Sequence, residues 1–173
     1  VVEKLMERLP VTLLLSFLAL LAAYLVAIPV GTYSALRPST FTDRVLTFLL
    51  FVLYSLPSFW LAIMLIRWLC GVGGLDLFPL RGLTSPGAEA WPLHARFFDL
   101  LHHLILPVFC LSYVSFATLS RYQRSGMMEV VRQDYIRTAR AKGLREIAVI
   151  FSHALRNSVI PILTLLGLQI PYL

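Results

Sequence analysis

Long apolar runs alternate with short polar stretches along this chain. Two of the runs, Leu13–Leu36 and Val45–Ile66, each exceed the ~20 apolar residues that a helix needs to cross the hydrocarbon core of a bilayer. Two shorter apolar runs follow, at Leu104–Leu119 and Val159–Leu173. The pattern predicts four membrane-spanning helices, at about residues 12–36, 45–69, 102–120 and 158–173.

The polar stretches between these runs differ in composition. Residues 70–101 are punctuated by glycine and proline, and their charges nearly cancel, which predicts an external loop. Residues 121–157 hold eight of the chain's 15 Lys and Arg residues, and the short connection at 37–44 holds two more. Because positively charged loops stay on the cytoplasmic side of a membrane, we predict that both of these stretches are cytoplasmic.

The segment 121–157 contains two short amphipathic patterns. The first places apolar residues on one face of a helix, at Met128, Val131, Tyr135 and Ala139. Gly143 is predicted to end this helix, because glycine adopts left-handed dihedral angles easily and Arg140 and Lys142 suit the negative end of the helix dipole. The second pattern predicts a helix whose apolar face is Ile147, Ile150, Phe151, Ala154 and Leu155. We therefore expect two short helices that meet at a glycine corner.

Composition places the chain in a membrane. Hydrophobic residues make up 58% of the chain and charged residues only 14%, against about 25% charged residues in ordinary soluble domains. The net charge of +6 comes from cations beside apolar runs, which favours membrane orientation over nucleic-acid binding. Cys70 and Cys110 have neither a metal-ligand spacing nor a disulfide framework, so we expect both to be small buried hydrophobic residues.

The sequence contains no recognisable motif for catalysis or nucleotide binding. It has no phosphate-binding glycine-lysine loop, no zinc-type His-Glu pair, and no Ser, His and Asp set on one predicted surface. We therefore expect this chain to bind no cofactor and no metal. His102 and His103 with Asp99 leave open an alternative, a membrane-embedded enzyme with its site at the outer interface. Adjacent histidines on a helix point about 100° apart and do not easily chelate one ion.

Several short motifs resemble the landmarks of one transporter family, in that family's order. They are Arg8-Leu9-Pro10, Ile28-Pro29-Val30-Gly31, Ser55-Leu56-Pro57-Ser58-Phe59-Trp60, Leu104-Ile105-Leu106-Pro107, Arg137-Thr138-Ala139-Arg140-Ala141-Lys142-Gly143, His153-Ala154-Leu155-Arg156-Asn157 and Gly167-Leu168-Gln169. The chain resembles the permease subunits of binding-protein-dependent ABC transporters, most closely the branch for di- and oligopeptides and nickel. Only Ala139, Gly143 and Leu155 fit the general loop pattern of the superfamily, and the departures are those of this branch.

The resemblance implies a fold, a location and a set of partners. The fold is all-α, a polytopic transmembrane helical bundle of the ABC importer permease type, with cytoplasmic coupling helices. The protein would lie in the cytoplasmic (inner) membrane and import peptides, with nickel or another small solute as the alternative substrate. Implied partners are a second, homologous permease subunit, two cytoplasmic ATPase subunits that use ATP, an external substrate-binding protein and membrane lipid, but no nucleic acid.

The extent of the chain also departs from the family. It has no initiating Met, and it begins after the point where family members would already have passed one helix and an external segment. It ends where they would continue into at least one more helix. We therefore expect a fragment that lacks helices at both ends.

The resemblance assigns the coupling role to the segment around Gly143. The implied coupling residues are Asp134, Tyr135, Arg137, Thr138, Ala139, Arg140, Ala141, Lys142, Gly143, Leu144, His153, Leu155, Arg156 and Asn157. The small Ala139 is expected to let an ATPase surface come close, while the surrounding arginines pair with acidic groups at the rim of the ATPase groove.

A second candidate site lies in the middle of the second apolar run. Ser55, Pro57 and Ser58 interrupt this run with two hydroxyl side chains and a proline. The resemblance makes them candidates for a broken helix beside the substrate path. The other interpretation is that Pro57 only bends a packed helix.

Overall fold

The computed structural model describes residues 2–71 and 73–169, with side chains described from Met6 onward. Within this part of the chain the regular structure is helical, and extended backbone pairs only at a single bridge between Cys70 and Asp76. This confirms the predicted all-α class.

The helical segments follow one another with mostly short connections. They are α1 (Val2–Leu36), α2 (Phe41–Ser55), α3 (Ser58–Leu69), a 3-10 turn (Ala88–Ala90), α4 (Leu93–Val131), α5 (Asp134–Ala141), α6 (Glu146–Ala148), a π-helix (Val149–Leu155), α7 (Arg156–Ser158) and α8 (Ile160–Gln169). Among the described residues, three stretches are apolar and long enough to cross a membrane: Met6–Leu36, Leu93–Val131 and Glu146–Gln169. A fourth is present if α2 and α3 together count as one interrupted span.

The predicted span at 45–69 is not one helix, because the chain breaks between α2 and α3. Pro57 has no backbone N–H and disfavours helical dihedral angles at the residue before it, so Leu56 leaves the helix. Pro57 itself is extended, with φ −62° and ψ 135°, and precedes the first residue of α3. The Tyr113 hydroxyl donates a 2.7 Å hydrogen bond to the Leu56 carbonyl. This bond satisfies an acceptor that the interruption exposes.

Other boundaries also differ from the predicted ones. Helix α1 begins at Val2, well before residue 12, and α4 extends beyond 102–120 at both ends, from Leu93 to Val131. The non-helical part of the predicted external loop is therefore shorter, and Arg121 lies within α4. The predicted span 158–173 corresponds to α8, and its residues 170–173 lie outside the described part of the chain.

One compact unit contains α1 up to Ala22 together with Ser55–Tyr113. In this unit the connection from α3 is tied to the first turns of α4. Asp99 accepts hydrogen bonds from the Ser85 backbone N–H at 2.8 Å and from the Ser85 hydroxyl at 2.6 Å. His102 Nε2 lies 2.7 Å from the Leu77 carbonyl oxygen. These contacts fix a glycine-rich connection that has little regular structure of its own.

A second compact unit contains Ala23–Tyr54 and the described residues from Val114 onward. Small residues let its helices approach closely: a methyl group added to Gly31 would lie 2.5 Å from the Ser120 carbonyl oxygen, and one added to Gly126 would lie 3.2 Å from the Ser158 carbonyl oxygen. Such close backbone contacts are typical of helix packing in membranes. The Tyr24 hydroxyl also donates a 3.1 Å hydrogen bond to the Ile162 carbonyl.

Candidate functional site

The predicted helix from Met128 to Ala139 is in fact two helices. Helix α4 ends at Val131, and α5 begins at Asp134 after Gln133, which is extended with φ −71° and ψ 150°. The periodic apolar pattern therefore crosses a break that periodicity alone cannot detect. Residues 134–158 are called the corner segment below. Its first arm is α5, its second arm is residues 146–158, and the turn at Gly143 lies between the two arms.

The corner has the hydrogen bonds of a Schellman motif. Gly143 has a φ of 78°, which is the left-handed conformation that its sequence context predicts. Its backbone N–H donates to the Arg140 carbonyl at 2.9 Å, and the Leu144 N–H donates to the Ala139 carbonyl at 3.4 Å. These two bonds satisfy carbonyl groups that the end of a helix would otherwise leave free.

An ion pair joins the two arms of the corner. Arg140 donates from Nε to Glu146 Oε2 at 3.1 Å and from Nη2 to Glu146 Oε1 at 2.7 Å. This hydrogen-bonded carboxylate raises the pKa of the Arg140 guanidinium above its usual value. Of the arginines expected to pair with acidic groups of a partner protein, Arg140 thus already has a partner within the chain.

The corner segment packs into an apolar core that it shares with the ends of α1 and α4. The buried residues are Met127, Ile136, Ala139, Val149 and Ala154, and Ala35, Leu36, Val130, Val131 and Ile150 pack against them. Ala139 is only 7% exposed. The expectation that Ala139 faces an ATPase surface does not agree with this packing: its small side chain lets the two arms approach one another.

A side-chain hydrogen bond joins the second arm to the first. It runs through α6, the π-helix and α7, and the Asn157 side chain donates a 2.9 Å hydrogen bond to the Tyr135 hydroxyl of α5. His153 and Leu155 lie half-buried in this arm, while Arg156 is exposed. A π-helix is rare and frequently marks a functional position in a helix.

The outer surface of the corner segment combines cations with large apolar side chains. Leu144, Ile147 and Phe151 are exposed, the last two at 65% and 63%. The sequence predicted Ile147 and Phe151 on the apolar face of the second helix, and in the structure this part of the face is exposed. The same segment also has exposed basic residues, at Arg137, Lys142, Arg145 and Arg156. Ile147, Phe151 and Arg145 were not among the predicted site residues.

Several predicted site residues stabilise the first arm or its start. Asp134 lies in the first turn of α5, where a negative charge is favourable. The Thr138 hydroxyl donates to the Asp134 carbonyl at 2.9 Å. Arg137 lies 3.5 Å from the Asp134 carboxylate, but both side chains are largely exposed, so this pair contributes little. Ala141, the last residue of α5, is exposed.

A buried glutamine connects the corner segment to the long helices. Gln123 of α4 is fully buried, and its Nε2 donates 3.0 Å hydrogen bonds to Thr32 Oγ1 of α1 and to Ser158 Oγ of α7. The Ser158 hydroxyl donates in turn to the Leu155 carbonyl at 3.0 Å. One side chain therefore fastens three helices. Sequence reasoning missed Gln123, because nothing local distinguishes it from a polar residue at a helix end.

The structure also locates the two alternative sites. Ser55 is the last residue of α2 and Ser58 the first of α3, so both flank the break at Pro57. At the outer-interface group, Asp99 is bonded to Ser85, and His103 Nδ1 lies 2.8 Å from the Asp99 carbonyl oxygen. The rings of His102 and His103 are nearly perpendicular, at 85°. These side chains hold the α3–α4 connection in place.

The fold and these contacts define a class: a helical membrane protein with several apolar helices and a compact polar corner between two of them. Residues 27–173 match the family described as "Binding-protein-dependent transport system inner membrane component". The chain belongs to this family, and the resemblance inferred from its motifs is confirmed. The inner-membrane location predicted for the chain agrees with that description.

Similar proteins are peptide-transport permeases by name. The chain is 44% identical over 169 residues to the oligopeptide transport system permease protein AppB of Bacillus subtilis (strain 168), with 98% of this chain and 51% of that protein covered. It is 38% identical over 182 residues to the dipeptide transport system permease protein DppB of Escherichia coli (strain K12), with 97% and 54% covered. The chain thus spans about half the length of the curated relatives it matches.

Proposed function

We propose that this chain is part of the permease subunit of an ATP-binding-cassette importer for peptides. The observation that carries the proposal is the corner segment, which has exposed apolar and basic side chains, shares an apolar core with α1 and α4, and is hydrogen-bonded to both through Gln123. Family membership supports the permease class, and the names of the relatives support peptides over nickel as the substrate.

In this proposal the corner segment passes motion from an ATPase to the membrane helices. An element can transmit a displacement only if it moves as one body, since a soft connection would absorb the movement. The Schellman turn, the Arg140–Glu146 pair and the buried apolar core make the two arms one body. Gln123 then connects that body to the ends of α1 and α4, so a push on the corner would move both helices together.

The proposed partners follow from the separation of ATP hydrolysis from the membrane path. ATP would be bound and hydrolysed by two separate cytoplasmic ATPase subunits, which seat the corner segment of each permease subunit. A second, homologous permease subunit would complete the path, and an external binding protein would deliver the peptide. The break at Pro57, with Ser55 and Ser58 on either side, is the proposed position where a helix opens to that path.

The experiment uses the full-length permease reconstituted with its second permease, ATPase and binding-protein partners in liposomes. Uptake of a labelled dipeptide and ATP hydrolysis are measured in parallel. We expect uptake to require ATP and the binding protein, and we expect Gly143→Val to abolish uptake while leaving the complex inserted. Uptake of nickel but not of peptides by the same complex would contradict the assigned substrate class.

A further inference from the structure

A cavity with a mostly apolar lining and two arginines lies at one end of the second unit, among α1, α2 and α4. Its volume is about 130 Å³, and its lining includes Ser34, Thr47, Phe51, Ser120, Arg121 and Arg124. A single water molecule occupies roughly 30 Å³ in the liquid, so the cavity can hold a group larger than one water. Two cations and three hydroxyl groups give it the chemistry of an anion site.

Two donors at this cavity have no hydrogen-bond partner within the described part of the chain. One is the hydroxyl of Ser120, a residue that is only 3% exposed, and the other is Nε of Arg124. Arg124 uses Nη2 to bind Asp43 Oδ2 at 3.0 Å, and the other carboxylate oxygen of Asp43, Oδ1, is also buried without a partner among the described residues. Buried donors without an acceptor are unfavourable.

An adjoining cavity extends the site toward the turn between α1 and α2. Its volume is about 450 Å³, and it shares Thr47, Phe51 and Arg124 with the first cavity while adding Arg44 and Asp43. The two cavities together are lined by three arginines and one aspartate, so the lining carries a net positive charge. The occupant is therefore expected to be an anion.

The apolar part of the lining narrows the choice of anion. Phe48 and Phe51 of α2 line the larger cavity beside the arginines, and both side chains are well exposed. A free phosphate ion would contact the arginines but leave these rings uncovered. A molecule with a phosphate at one end and hydrocarbon at the other would contact both.

We propose that the two cavities together bind an anionic membrane phospholipid. The phosphate would lie against Arg121 and Arg124, and the acyl chains would follow Phe48 and Phe51 along α2. Basic pockets between membrane helices on the cytoplasmic side are a recognised type of lipid head-group site. The Arg37–Arg44 turn and the corner segment, both predicted to be cytoplasmic, place this end of α2 at the inner leaflet.

The test is lipid binding to the full-length permease, measured by native mass spectrometry in detergent with phosphatidylglycerol, phosphatidylcholine or inorganic phosphate added. We expect phosphatidylglycerol to be retained in preference to phosphatidylcholine. Arg121→Gln should weaken phosphatidylglycerol binding about fivefold, the equivalent of about 1 kcal/mol per basic residue near a membrane surface. Arg37→Gln is the matched control, since Arg37 lies at the same end of the unit but contacts Tyr33 and lines neither cavity.

Three results would overturn the proposal. Equal retention of the two lipids would show that charge is not recognised. An equal loss of phosphatidylglycerol binding in Arg121→Gln and Arg37→Gln would show that general surface charge, and not the cavity, accounts for binding. Displacement of phosphatidylglycerol by millimolar inorganic phosphate, without any preference between lipids, would assign a free-ion site instead. None of these readouts involves transport, so the outcome is independent of the proposed function.

Discussion

The guanidinium of Arg140 binds the carboxylate of Glu146 through two hydrogen bonds, of 3.1 Å and 2.7 Å, across the turn at Gly143. The two side chains are partly exposed, at 39% and 55%. Pairs of this kind contribute about 0–1 kcal/mol, because water screens the charges and two long side chains lose freedom. The pair therefore orients the two arms more than it stabilises them.

The first prediction concerns this pair. Arg140→Gln and Glu146→Gln should each loosen the corner segment slightly, by about 0–1 kcal/mol, and the double variant should be no worse than either single one. Hydrogen exchange of residues 134–158 in the full-length protein measures the effect. Additive losses in the double variant would show that the two residues act separately, for example with Arg140 bound to a partner protein.

The second prediction separates internal packing from docking. Ala139→Trp should destabilise the corner segment, since overpacking a filled core typically costs about 1–3 kcal/mol, and hydrogen exchange should rise in both arms. Phe151→Ala should leave exchange unchanged, because Phe151 is exposed, but should weaken capture of the ATPase subunit by the full-length permease. Normal capture by Phe151→Ala at matched expression would show that the exposed apolar surface is not the docking surface.

Local chemistry explains which features of the corner were predictable. A glycine after a helical pattern with basic residues in its last turn predicts a left-handed cap, and Gly143 adopts it with a φ of 78°. The break at Pro57 was only one of the two interpretations that the sequence left open, because Pro107 lies inside the continuous helix α4 and a proline alone does not decide between a bend and a break.

The direction in which residues face was not predictable in the same way. Ala139 is buried because Met127, Val149 and Ala154 pack against it, and these residues are up to 15 positions away along the chain. Either Tyr135 or Ile136 of α5 could face the core by sequence, and in the structure Ile136 is the buried one. Periodicity in this segment was misleading because the helix breaks at Gln133 and the second arm contains a π-helix, both of which shift the register of apolar positions.

The third prediction tests the backbone at the corner. A methyl group added to Gly143 would meet nothing within 4 Å, so any penalty comes from its φ of 78° and not from a clash. A β-branched residue there should cost roughly 1–3 kcal/mol. Gly143→Val should therefore uncouple peptide uptake from ATP hydrolysis in the reconstituted complex. Gly143→Asn is the control, because asparagine tolerates left-handed angles, and it should retain most uptake.

An equal loss of uptake in the Val and Asn variants would mean that the partner requires the absence of a side chain at position 143. The loss of uptake would then be explained by a close contact between Gly143 and the partner protein, and not by the backbone conformation at Gly143.

The fourth prediction concerns the connection through Gln123. Gln123→Leu keeps much of the volume but removes the 3.0 Å hydrogen bonds to Thr32 and Ser158. Hydrogen bonds between membrane helices are typically worth about 0.6–2 kcal/mol, so the protein should still fold. We expect ATP hydrolysis in the complex to continue while peptide uptake per ATP falls. Thr118→Val, which removes an exposed hydroxyl from the same helix, is the control. An unchanged ratio in Gln123→Leu would argue that this side chain only supports stability.

The last prediction concerns orientation in the membrane. Ten of the 15 Lys and Arg residues lie in the 37–44 turn or in residues 121–157, so both are expected on the cytoplasmic side. With Cys70 and Cys110 replaced, Thr84→Cys should react with a membrane-impermeant thiol reagent in intact cells, and Ser152→Cys should react only after the membrane is opened. Both positions are exposed. Thr84 is preferable to its neighbour Ser85, whose hydroxyl is bonded to Asp99 at 2.6 Å. The opposite labelling pattern would place the corner segment outside, where no ATPase could reach it.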